Sequence, residues 1–63
     1  MPKVSIIIPA YNEASFIGEL LQSIRAVDLS SIGFEKEIIV VDNGSVDNTS
    51  EIVSRFNEVH LVR

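Results

Sequence analysis

"EIIVVDNGSVDNTSEIV", residues 37–53, changes character twice along its length. Its first part, Ile38 to Val41, is apolar at four successive positions, as in a strand covered on both faces rather than one with a solvated side. After the polar centre, Ile52, Val53 and Phe56 recur at helical spacing. Between the two, Asn43, Gly44 and Ser45 supply turn chemistry, with Gly44 expected at a positive φ. Asn-Gly is also a hairpin signal, but the helical repeat that follows argues against a hairpin. A strand therefore runs through a short polar loop into a helix, which makes the chain α/β. Helix front ends carry partial positive charge and free N–H groups, and in many folds they seat a phosphate. Here Asp42 and Asp47 stand around the turn instead, so the loop is suited to a different kind of ligand group.

Upstream, "VSIII" (Val4 to Ile8) is a β-branched run expected to end at Pro9, which cannot donate to a ladder and keeps Ile8 extended. From Phe16 the apolar positions Phe16, Ile17, Leu20, Leu21, Ile24 and Val27 form an amphipathic helical stripe, with Asn12 as its expected N-cap. "DLSSIGFEKE" has turn formers and no period, and reads as a loop into the second strand. Ser45, Asp47 and Asn48 are candidate caps of the second helix, and Asn48 and Glu51 have capping-box spacing. "VHLVR", residues 59–63, reads as a short third strand. The resulting order is β-α-β-α-β. Strands joined through helices are parallel with right-handed crossovers, so a three-stranded parallel sheet of order 3-2-1 is expected, with both helices on one face.

That arrangement leaves a deficit. The chain has 63 residues, 46% of them hydrophobic, and no cysteine; a domain this short buries only about 60% of its unfolded surface. Strands one and two are apolar on both sides, yet two helices cover one side only. Burying one Val or Ile is worth roughly 1.5–3 kcal/mol, so several left bare rival the whole stability of a small domain. The chain is expected to be part of a larger domain or to associate.

Charge excludes other classes. Nine acids outnumber five scattered basic residues, for a net charge of −4, so nucleic-acid binding through a basic patch is not expected. No apolar run approaches the roughly 18 residues of a membrane span, and the amino-terminal apolar stretch is too short for a signal-peptide core. A cytoplasmic location is the expectation. The Asn-x-Ser sequons at Asn43 and Asn48 read as accidental. The glycines at 18, 33 and 44 make neither GxGxxG nor GxxxxGK[ST], which removes phosphate cradles of the dinucleotide and P-loop kinds. An EF-hand loop fails because its glycine is misplaced.

Ligands of open α/β sheets bind beyond the carboxyl ends of the strands. "PAYNE" after strand one and "DNGSVD" after strand two both fall there, at neighbouring exits. Asp42, the last residue of strand two, can accept hydrogens from a base or a ribose; it is a poor partner for phosphate unless a divalent cation intervenes. It can equally cap the turn by accepting backbone N–H groups. Asp47 suits the first turn of a helix. Tyr11 could lay its ring on a base or close the loop over the sheet, and Glu13 could bond a ligand or favour the first helical turn. His60, with no second metal-type ligand near it in sequence, reads as a solvated strand residue.

Together, "VSIIIPAYNE" and "EIIVVDNGSVDNTSEI" at this separation resemble the amino-terminal part of family-2 inverting glycosyltransferases of the GT-A fold, over nearly the whole chain. The resemblance implies a partial Rossmann-like, nucleotide-diphosphosugar-binding domain spanning residues 1–63. By position, Pro9, Ala10, Tyr11 and Glu13 resemble the segment lining the base and ribose pocket. Asp42 resembles the aspartate that hydrogen-bonds the base, with Gly44 and Ser45 beside it. Asn43 stands where the family often has a second aspartate. A UDP- or GDP-sugar donor is implied as the partner, and transfer with inversion as the reaction. The family's Asp-x-Asp, which holds Mn²⁺ or Mg²⁺, and its catalytic base are expected beyond Arg63, so the metal has no ligand in this chain. No residue of it is expected to be catalytic, and the chain alone is expected to be inactive. The parent could be membrane-associated. The alternatives are an isolated module that binds nucleotide weakly or self-associates through its bare sheet face, and an unrelated flavodoxin-like or Rossmann-like domain whose acids bind Mg²⁺.

Overall fold

A computed structural model describes residues 2–63. The chain alternates strand β1 (Lys3–Ala10), helix α1 (Ile17–Arg25), strand β2 (Glu35–Asp42), helix α2 (Thr49–Ser54) and strand β3 (Val59–Val62), with a 3-10 turn at Ser30–Ile32. The three strands are parallel in the order β1-β2-β3, which is the expected 3-2-1 order counted from the other edge.

Side chains alternate across the sheet. Ile8, Ala10, Ile38, Val40, Val59 and Leu61 turn to one face, where Ile17 and Leu21 of α1 and Val53 and Phe56 of the α2 segment close over them. Leu21, Val40 and Val53 are fully excluded from solvent. Helix α1 uses only part of its apolar stripe: Phe16, Leu20 and Val27 remain exposed, because only the Ile17–Leu21–Ile24 line meets the sheet. Gly18 faces Ile52 of the second helix, where a Cβ would meet Ile52 Cγ2 at an ordinary contact distance of 3.6 Å. At the far end of α1, Lys36 Nζ donates to the carbonyls of Ile24 at 2.7 Å and Arg25 at 3.0 Å, tying helix to sheet. Arg25 lies over the Phe56 ring, 4.8 Å from its centroid.

The opposite face carries no helix. Ile7 is 63% exposed and Val62 is 49% exposed, with Ile39 and Val41 half-buried between them. Toward the amino ends of the strands this face becomes polar, with Glu37 accepting from the Ser5 hydroxyl at 2.8 Å and lying 3.9 Å from Lys3 and 3.8 Å from His60. Among the described residues no helix is long and apolar enough to cross a membrane.

Several local expectations need correction. Strand β1 does not stop before Pro9 but runs through it to Ala10. The carbonyls of Pro2 and Ala10 accept N–H groups of Glu35 and Asn43, so even-numbered residues of β1 face β2, and Pro9 presents its missing donor to the open edge, where proline is tolerated. Asn12 does not cap α1. That helix begins at Ile17 with Phe16 in the cap position and no side-chain cap, after a turn in which Glu13 O accepts from Phe16 and Ile17. Nor does the Asn48/Glu51 pair form a capping box: Asn48 occupies the cap position of α2 without a side-chain bond, and Asp47 does the capping by accepting the Thr49 N–H at 3.0 Å. A side chain engaged across to another loop cannot also fold back on its own helix, which is the fate of Asn12.

Candidate functional site

Ala10 and Asp42 are register partners at the carboxyl ends of β1 and β2, and Asn43 N–H donates to Ala10 O at 2.9 Å beyond them. The two following loops therefore leave the sheet side by side. Four hydrogen bonds join them. Asn12 N–H donates to Ser45 Oγ and Val46 N–H donates to Asn12 Oδ1, both at 2.9 Å; Glu13 N–H donates to Thr49 Oγ1 at 2.8 Å, and Ala14 N–H to Asp47 Oδ2 at 3.3 Å. The local conformations that permit this are special. Gly44 has φ 85° and Asn12 φ 52°, the left-handed region that glycine enters freely and asparagine tolerates better than most residues.

Asp42 is 6% exposed. Its Oδ1 accepts the Ser45 N–H at 2.9 Å. The Ser45 hydroxyl first, and that N–H second, hold its carboxyl below the ordinary value of 3.8, against the opposing effect of burial. Hydrogen bonds to the charged form favour it, so Asp42 is a carboxylate at neutral pH. Asp47 is lowered as well, first by the Thr49 hydroxyl, which donates to its Oδ1.

Asp42, Gly44 and Ser45 line a concavity of about 180 Å³ together with Ser50 and Arg63. The other expected residues lie around rather than in it. Pro9 is exposed on the bare face; Ala10 is buried under the helices; Tyr11 is 57% exposed on the loop after β1; Glu13 is half-buried and engaged through its backbone. Tyr11 thus projects from the same end of the sheet as Asp42 and does not close over the core. Ser50 and Arg63 escaped the sequence reading. The signal for Arg63 was available: it follows the third strand directly, and the rule for carboxyl ends applies to β3 as well. Ser50 had no signal beyond its place in the first turn of α2.

A larger hollow of about 510 Å³ opens at the opposite end of the molecule. Its charged groups serve the fold: Lys36 holds the end of α1, and Asp28 accepts from Ser30. Among the described residues no group of three or more His, Cys, Asp and Glu side chains could hold a metal ion.

A parallel α/β sheet with its polar loops gathered at the carboxyl edge has the arrangement in which open sheets take their ligands. The chain belongs to glycosyl transferase family 2, whose pattern it matches over residues 5–63, and the fold is consistent with the start of a GT-A domain. It is 41% identical over 59 residues to an uncharacterized glycosyltransferase of Mycoplasma genitalium, covering 89% of this chain and 18% of that protein. It is 40% identical over 60 residues to glycosyltransferase AglE of Haloferax volcanii, covering 95% of this chain and 19% of that one. The poly(ribitol-phosphate) beta-N-acetylglucosaminyltransferase TarS of Staphylococcus aureus is 40% identical over 62 residues, 97% of this chain and 10% of TarS. The chain spans less than a fifth of the length of these relatives.

Proposed function

We propose that this chain is the donor-binding part of a glycosyltransferase, a partial GT-A domain that holds a nucleotide-diphosphosugar while the sugar is transferred to an acceptor with inversion. The observation that carries this reading is a shielded, ionised carboxylate, Asp42, on the wall of a concavity at the carboxyl ends of parallel strands. A carboxylate accepts N–H hydrogens, and in this position it reads a base that presents one, as uracil and guanine do. Gly44 and Ser45 shape the floor beside it, while Pro9, Ala10, Tyr11 and Glu13 form the strand end and loop that border the nucleoside, with Tyr11 free to lay its ring on the base. Arg63 brings the positive charge that the concavity otherwise lacks.

Inversion follows from direct displacement at the anomeric carbon, with the acceptor hydroxyl forming the new bond as the nucleoside diphosphate leaves with the electron pair of the old one. This requires a general base for the acceptor proton, and we assign none to this chain. The family generally uses a divalent metal, Mn²⁺ or Mg²⁺ in our reading. The described residues do not fit one, because Asp42 and Asp47 are committed to Ser45, Thr49 and Ala14. Isothermal titration with UDP and GDP, with and without Mn²⁺ and chelator, tests the assignment. Binding that persists under chelation and is lost in Asp42→Ala supports it; equal binding by that variant removes it.

A second reading, self-association, is favoured by the exposed Ile7 and Val62 on the bare face. Sedimentation over a range of concentrations decides it, an Ile7→Lys variant that stays dimeric counting against this surface.

A further inference from the structure

The bonds between the two loops form a chain that ends on Asp42. Asn12 Oδ1 takes the Val46 N–H, and in return the Asn12 N–H donates to Ser45 Oγ, each at 2.9 Å. The reciprocity fixes both neighbours Ser45 and Val46 to one residue of the other loop. Ser45 in turn faces Asp42, its N–H 2.9 Å from Oδ1. The Ser45 backbone N–H is thus the link through which the first loop reaches the Asp42 carboxylate.

Asn12 itself lies outside the concavity, which is lined by Asp42, Gly44, Ser45, Ser50 and Arg63. Its φ of 52° is a departure from ordinary backbone, and structures hold such residues where the surroundings determine them. Asparagine suits both demands: it tolerates the left-handed region, and its short amide oxygen reaches a backbone donor on the neighbouring loop. Glycine would meet the first demand without the second. Without the amide, Val46 would lose its acceptor on the first loop, and Ser45 would keep only the Asn12 backbone N–H.

We infer that Asn12 is a positioning residue for the nucleotide site: it locks the loop after β1 to the loop after β2 and so orients Ser45 against Asp42, without touching the ligand. The inference rests on the donor-binding reading above. It adds to it a division of labour, in which Asp42 meets the base and Asn12 sets the direction in which Asp42 faces.

Asn12→Gly and Asn12→Asp, made in the full chain, separate positioning from mere stability. The glycine keeps the backbone conformation and removes the acceptor; the aspartate keeps both. UDP and GDP titrations are expected to show Asn12→Gly weakened by about three- to ten-fold, the effect of one lost hydrogen bond, with the thermal midpoint little changed. Asn12→Asp should recover most of that loss. The second readout needs no nucleotide: ¹³C titration of the Asp42 carboxyl, assigned with Asp42→Asn, should move upward in Asn12→Gly as Ser45 loosens. Wild-type affinity in Asn12→Gly, or an Asp42 titration that does not move, overturns the inference. If the unaltered chain binds neither UDP nor GDP, the donor-binding reading fails, and the Asp42 titration alone decides whether Asn12 orients this carboxylate.

Discussion

Thr49 and Glu13 join the two halves of the molecule through a single atom: the buried Thr49 hydroxyl oxygen accepts the Glu13 backbone N–H at 2.8 Å while its own hydrogen goes to Asp47. Thr49 is fully excluded from solvent. The first turn of α2 is thereby tied to the entry of α1 at the carboxyl edge of the sheet.

Replacing Thr49 by valine keeps the shape and removes the acceptor, leaving the Glu13 N–H unpaired in a part-buried position. A loss of about 1–3 kcal/mol is expected, read as a lower urea midpoint with an unchanged slope. Thr49→Ser, which keeps the hydroxyl, should lose less.

Acid should loosen the same region. Asp42 and Asp47 have their carboxyls lowered from 3.8 by their hydrogen bonds to Ser45 and Thr49. A group with a depressed folded value contributes stability above its unfolded value, and this is lost as pH falls through the folded one. Stability should therefore be level above about pH 5 and decline as pH falls below 4.5, where Glu58 begins to contribute, and further below 3.8, where Asp42, Asp47 and Asp28 do. Asp47→Asn should flatten that decline, measured as thermal midpoint against pH.

Lys36 supplies three hydrogens to carbonyls at the end of α1, those of Ile24, Arg25 and Val27. Lys36→Met keeps the stem and removes the donors. We expect a loss of about 1–3 kcal/mol and faster amide exchange confined to the last turn of α1; exchange unchanged there would refute the role.

The two sheet faces should respond differently to truncation. Leu21, fully buried against the helix-covered face, should lose about 2–5 kcal/mol on substitution by alanine. Ile7, 63% exposed on the other face, should change stability by only about 0.5 kcal/mol on substitution by threonine. Chemical denaturation of both variants measures the contrast, and an Ile7 variant as damaged as Leu21→Ala would mean that this face is covered in solution.

The order of elements, the parallel sheet, the apolar runs of β1 and β2 and the placement of Asp42 at a strand end follow from patterns a few residues long: four apolar positions in succession at Ile38–Val41, a helical repeat through Leu21, a glycine where the turn needs a positive φ. Such patterns are local, so the sequence by itself determined them, and the family follows from two such segments at the right separation. The partners of Asn12, Thr49 and Lys36 were a matter for the tertiary structure. Each bonds a group at least nine residues distant, and a side chain that reads locally as a cap bonds elsewhere when folding brings a backbone donor of another loop within 3 Å. Proline in β1 shows the same division. Its missing N–H is visible in the sequence, but only the position of β1 at the sheet edge, with Pro9 facing outward, decides that the strand continues through it.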